Sequence, residues 1–174
     1  MAQYADSLGM HYAPGTSLQA YGPTVLRLAL GAVFIAHGGQ KLFGLWGGAG
    51  LDGTAATFSQ IGLHPAYPLA LVWAVIEFVG GMLLVLGAFT VGASIALSII
   101  TLAAIWKMHF AHGFFLNWHL VPGQGHGYEF NAALLGGLVC LMLTGSGALS
   151  IDGRRAESAA AAAAGRARLR AGQV

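Results

Sequence analysis

Glu77, His37 and Lys41 have the strongest claim on chemistry in this sequence, because each is an ionisable group inside an otherwise apolar stretch. Glu77 lies about ten residues from either end of its stretch, near the midplane of any membrane span, where an ionised side chain costs at least ~2.5–3.5 kcal/mol on insertion scales. A carboxyl there is expected to be protonated or paired. Gly80 and Gly81, at i+3 and i+4, make its helix face narrow and point it inward. Glu77 then serves either as an interhelical hydrogen bond that locks the packing or as a proton relay. His37 and Lys41, four apart, share one face in the outer leaflet. Lys107 and His109, and His126 with Glu129, fall at the same depth if the topology given below holds. Together these groups predict a water-accessible outward funnel closed at depth by Glu77. For Lys41 and Lys107 the competing reading is snorkelling to the interface, with a Lys41–Glu129 or Lys107–Glu129 pair that is merely structural.

The histidines invite two sharper ideas, neither of which the sequence favours. A b-type haem in a helical bundle needs inward histidines on facing helices, and His37 with His109 is the one pair that would suit. His109-x-x-His112, with His119 and His126, would offer imidazoles to zinc or copper. That segment also carries Phe114, Phe115 and Trp118, the composition of a membrane interface, so we assign no metal. Gly38-Gly39 and Gly123-Gln-Gly125-His-Gly127 are too short for a phosphate loop and follow no strand, which leaves nucleotide binding unsupported.

The elements that must position these groups follow from composition. Of 174 residues, 56% are hydrophobic and 8% charged, too few charges to solvate a water-soluble globule. A lipid bilayer is the expected surroundings. Between Leu69 and Trp106 the only charge is Glu77; as one helix this stretch would run about 57 Å, nearly twice the hydrocarbon core, so it must fold as a hairpin. Gly87-Ala88-Phe89-Thr90-Val91-Gly92 is the natural turn. With a weaker span that contains Arg27, His37 and Lys41, and a clean one ending at Gly145-Ser146-Gly147, the sequence predicts an all-α bundle of four transmembrane helices, about 24–44, 67–87, 91–110 and 128–149. Gly31, Gly38, Gly80, Gly81, Ala132 and Gly136 are the expected small contact residues.

Residues 1–22 contain no Lys or Arg and no uninterrupted apolar core, so they read as a soluble arm rather than a cleavable signal peptide. Five of the eight basic residues lie in the last 21 positions. That asymmetry is a membrane-orientation signal before it is a nucleic-acid signal. It places both termini in the cytoplasm, with Arg27 in agreement and the 45–66 and 111–127 connections outside. The Ala/Arg-rich tail, 153–174, would form either a short basic helix on an anionic membrane surface or, as its low complexity favours, a disordered segment. Cys140 is the single cysteine and excludes an intrachain disulfide.

In order and spacing the sequence resembles the DoxX family of small bacterial four-helix membrane proteins. The resemblance runs over 24–153: Arg27-Leu-Ala-Leu-Gly31, Ala36-His37-Gly38-x-x-Lys41-Leu-Phe-Gly44, Ile61-Gly-Leu-His-Pro65, Glu77-x-x-Gly80-Gly81-x-x-Leu84-x-x-Gly87, Gly127-Tyr128-Glu129 and Gly145-Ser-Gly147-Ala-Leu-Ser-Ile-Asp152. It implies a multi-pass protein of the bacterial inner membrane in a redox neighbourhood: relatives of thiosulfate:quinone oxidoreductase subunits, and partners of a superoxide dismutase and a sulfurtransferase. The chain lacks the cysteine pairs of a thiol-based redox protein, which leaves a quinone or a partner subunit to carry electrons. A quinone pocket needs an apolar slot and donors for two carbonyl oxygens; His37, Lys41, His109 and Glu129 beside Phe43 and Trp106 are the candidates, with Glu77, His37 and Lys41 as proton relay and polar pocket. The competing expectations are a non-catalytic scaffold or accessory subunit of a larger membrane complex, and a small transporter using the same funnel.

Overall fold

The computed structural model describes residues 18–171. Among these residues the chain is all-helical, with no strand. A short 3₁₀ turn leads into α1 (Gly22–Phe43), followed by α2 (Gly50–Gln60), α3 (Ala66–Leu86), α4 (Thr90–Ala104), α5 (Glu129–Thr144) and α6 (Ile151–Ala171). Most of the soluble arm expected over 1–22 lies outside the described residues.

α1 and α3 run antiparallel and touch backbone to backbone. A Cβ added at Gly31 would stand 2.8 Å from the Gly81 carbonyl oxygen, and one at Gly81 would stand 2.8 Å from that of Gly31. A Cβ at Gly38 would meet the Phe78 backbone at 2.5 Å. Glycine is therefore required at all three positions, because lipid supplies no hydrophobic drive between helices and close approach must supply the packing. Gly136 faces open space instead, and its neighbour Gly137 packs on Leu26 and Leu30. The hairpin between α3 and α4 turns where the sequence predicts, at Gly87 with φ 62°. Leu30, Phe34, Leu84, Leu97, Leu138 and Leu141 form the core where α1, α3, α4 and α5 meet.

Four features depart from expectation. The 45–66 connection contains α2, which lays Thr54 and Phe58 onto the bundle. α4 does not stop cleanly but widens into a π-helical turn, Ile105–His109, and a 3₁₀ turn, Phe110–His112. α5 ends at Thr144 rather than 149, because Gly145 breaks the helix and the following carbonyls are drawn to Arg27. As far as Ala171 the tail is a helix, with the strong helix formers Ala159–Ala164 in its middle and Asp152 in its first turn. Three helical stretches, Leu18–Phe43, Ala66–Leu86 and Thr90–His112, are long and apolar enough to cross a membrane. α5, with 16 residues, spans about 24 Å.

Candidate functional site

Lys41 sits in the last turn of α1 and Glu77 midway along α3. Helical side chains lean toward their own N-terminus, so in antiparallel helices these two lean toward each other. Lys41 Nζ donates to Glu77 Oε2 at 2.6 Å. Trp73, one turn before Glu77, donates its indole N–H to Oε1 at 3.1 Å. Both carboxylate oxygens are thus engaged on a residue only 7% exposed. Pairing is what keeps an ionised acid tolerable at this depth, and removal of either partner would leave a poorly solvated charge. Phe58 of α2 stands edge-on to Trp73 with ring centroids 5.2 Å apart, and is itself buried. α2 is therefore a roof over the ion pair.

Beneath that roof lies a cavity of about 370 Å³, in the range of small-molecule sites. Its body is apolar, with Phe34, Ile100, Met108, Phe130 and Leu134 among its walls, and its polar groups come from His37, Lys41, Glu77, Thr101, His109, His126 and Asn131. The π-helical turn brings His109 onto this wall beside Met108, where regular α-helical spacing from Ile100 and Ala104 turns it away. His109 Nδ1 lies 2.9 Å from the His126 carbonyl, which can only accept, so a neutral His109 carries its proton there and leaves Nε2 as an acceptor. His126 Nδ1 accepts the backbone N–H of Asn117 at 3.2 Å, leaving its proton on Nε2. The buried Asn117 fixes this loop by donating to the carbonyls of Val121 and Gln124 and accepting from the Val121 N–H. His37 is exposed and faces Phe130 of α5 across 6.4 Å, so the cavity reaches the outside between α1 and α5.

Glu77, His37, Lys41 and His109 thus come together as the sequence suggested, whereas Glu129 and Lys107 do not. Glu129 accepts the Trp118 indole N–H at 3.2 Å and does not line the cavity, because it opens α5 beside the 113–118 loop. Lys107 stacks on the exposed Trp106 ring, 4.6 Å from its centroid, because the widened turn carries it to the outer surface. That places Trp106 outside the slot, and Phe43 packs on Phe78 rather than on the cavity. Asn131 and Thr101 were missed because neither carries charge. Among the described residues no three His, Cys, Asp or Glu side chains stand close enough to share a metal ion.

The opposite end of the bundle holds a second polar cluster. Arg27, 1% exposed, spends every N–H on a backbone carbonyl: Nε on Ser146 (3.1 Å), Nη1 on Leu84 (3.1 Å) and Val85, Nη2 on Ala148 (3.2 Å) and Leu149 (2.5 Å). It therefore closes the C-terminal carbonyls of α3 and the turn after α5, and is no surface marker of orientation. Beside it, Asp152 accepts the backbone N–H groups of Phe89 and Thr90 at 2.9 and 2.8 Å, capping α4. Burial pushes the Asp152 carboxyl up, but these N–H donors and the Arg155 guanidinium outweigh it and hold the group below the usual aspartate range.

The DoxX family profile matches residues 22–110. A Bacillus subtilis (strain 168) protein named "Putative oxidoreductase CatD" is 34% identical over 133 residues, covering 75% of this chain and 84% of the relative. No solved structure matches the chain significantly. With the family profile covering half of the chain and a relative aligned over three quarters of it, this helical, multi-pass membrane protein belongs to the DoxX family.

Proposed function

We propose that the chain is a subunit of a redox assembly in the bacterial cytoplasmic membrane, and that its cavity takes a quinone. The carrying observation is the Lys41–Glu77 pair on the wall of an otherwise apolar cavity of about 370 Å³. A quinone takes up two electrons and two protons to become a quinol. With a single, exposed cysteine in the chain, the electrons come from a partner subunit. Lys41 donates to one carbonyl oxygen, Glu77 holds Lys41 in position and relays protons, and His37 or the His126 Nε2–H serves the second carbonyl. The exposed His37 and Phe130 between α1 and α5 provide entry from the bilayer, as a lipid-soluble substrate requires. The name of the Bacillus subtilis relative is consistent with redox work.

In this reading α1, α3, α4 and α5 all cross the bilayer, α5 by local thinning around its short span, and both termini are cytoplasmic by the basic bias of α6. Purification in mild detergent, with partners identified by mass and extracted quinone measured by absorbance, tests the assignment. We expect quinone in the native protein and its loss from the Lys41→Met protein that still purifies as a folded bundle. A lone bundle without quinone overturns the reading. For the topology, an impermeant thiol reagent applied to intact cells should reach a cysteine at position 50 and spare one at position 160, in a Cys140→Ala background; the reverse labelling inverts it.

A further inference from the structure

Three hydroxyl side chains of α4 run from the Asp152 cluster toward the Lys41–Glu77 cavity. Thr90, Ser94 and Ser98 are 1%, 0% and 8% exposed; the Ser94 and Ser98 hydroxyls have no hydrogen-bond partner in the protein, and that of Thr90 stands beside the Asp152 carboxylate. Their spacing of four puts them on one helix face, and Thr101 continues the same face. Buried hydroxyls on helices ordinarily bond the carbonyl one turn back, as Thr101 does to Leu97 at 2.7 Å and Thr144 to Cys140 at 2.8 Å. Ser94 and Ser98 do not take that bond. Orphaned polar groups in a bundle that faces lipid have no outside partner to turn to.

The two ends of the column are open. Thr90 lines a broad depression shared with Asp152 and Ser146 beside the Arg27 cluster. Thr101 lines the Lys41–Glu77 cavity. The column between them is about 16 Å long at the rise of an α-helix, and successive side chains four apart stand about 5–6 Å from one another. A water bonded to two successive hydroxyls at about 2.8 Å would bridge that distance.

We propose that Thr90, Ser94, Ser98 and Thr101 form a hydrated proton path that joins the Asp152 depression to the Lys41–Glu77 cavity. The titratable and charged groups facing it are Asp152 of α6 and Arg27 of α1 at one end. At the other stand Glu77 of α3, Lys41 and His37 of α1, His109 after α4 and His126 before α5. Each hydroxyl and water accepts a proton from one side and releases its own to the other, Thr101 by turning its O–H from the Leu97 carbonyl toward the cavity; one O–H bond forms as another breaks, and no charge stays on the column. The path stands on its geometry, whereas its use in supplying protons for quinone reduction rests on the reading above.

Silver ion, small, charged and thiol-specific, probes the path without any redox assay. Single cysteines replace Ser94, Ser98, Ile95 or Ile99 in a Cys140→Ala background reconstituted in bilayer nanodiscs, and thiols surviving brief Ag⁺ exposure are counted after denaturation. We expect Ser94→Cys and Ser98→Cys to react at least tenfold faster than Ile95→Cys and Ile99→Cys, which face outward. Equal rates at the four positions overturn the path. Fast silver reaction with no quinone found leaves the path standing and removes the quinone reading; bound quinone with spared serine-site thiols does the reverse. Should the cysteine variants not fold, magnetisation transfer from water to the Cβ protons of Ser94 and Ser98 in the unaltered protein decides. Transfer there and not at Ile95 or Ile99 supports the path, and its absence overturns it.

Discussion

The two polar clusters of this protein use similar chemistry for opposite ends. Arg27 at one end has all five of its N–H donors matched to backbone carbonyls, at 1% exposure. At the other end Lys41, with side chain 25% exposed, meets one carboxylate and borders a cavity. Arginine's planar fork suits a fixed set of carbonyls, whereas a lysine ammonium on a flexible stem can turn between partners. A buried cation whose donors are exhausted fastens a fold. One that keeps donors free beside a void is placed to meet something else.

The largest effect that would break this contrast belongs to Arg27→Met. It strips the Val85, Ser146 and Leu149 carbonyls of their donors, while Leu84 keeps the Gly87 N–H and Ala148 the Thr24 hydroxyl; each unmet carbonyl costs about 1–3 kcal/mol, so we expect no monodisperse protein by size-exclusion chromatography. Arg27→Lys, with three donors and no fork, should rescue little. Normal yield and melting temperature for Arg27→Met would show that the fastening role is misassigned.

Glu77→Gln comes next and separates function from packing at the other end. The amide keeps an acceptor for Trp73 and loses the charge that holds Lys41. Lys41 is partly solvated, and polar contacts within membranes are worth about 0.6–2 kcal/mol, so the melting temperature should fall by a few degrees while assembly persists. Quinone reduction by the purified assembly should be lost. Full activity in both Glu77→Gln and Glu77→Leu would make Glu77 neither relay nor essential contact.

Asp152→Asn should have the smallest effect. Its folded carboxyl titrates below the unfolded one, so its stabilisation is complete above about pH 4 and disappears as pH falls through the lower, folded value. We expect the variant to melt lower than the parent at pH 7 by the equivalent of about 1 kcal/mol, the usual worth of a helix N-cap. The two melting curves should converge once the pH lies below the folded value. A gap that widens toward low pH would refute the assigned sign.

Much of this arrangement was legible in the sequence because it is periodic. His37 and Lys41 share a face through their i,i+4 spacing, and the charge-free flanks of Glu77 locate it at mid-span. The hairpin at Gly87 and the glycine contacts of α1 and α3 follow from the same periodicity. What escaped depends on departures from it. Lys107 and His109, two apart, cannot share a helix face, and the widened turn of α4 decides that His109 faces the cavity. Glu129 belongs to a loop contact with Trp118 that only the folded 113–128 segment creates. Arg27 reads as a span-end marker because its partners are main-chain carbonyls, which have no residue type to recognise. The orphaned hydroxyls of α4 pass as ordinary small residues until their surroundings are known.

The placement of Trp73 has an optical consequence. Trp46, Trp106 and Trp118 are each about 70% exposed, whereas Trp73 is half-buried, with its indole on the Glu77 carboxylate and its ring against Phe58. Its emission is therefore tied to the state of the ion pair and the position of the roof. With the three exposed tryptophans replaced by phenylalanine, the remaining fluorophore becomes a native gauge of the cavity, readable without label as a ligand enters or the Lys41–Glu77 pair opens.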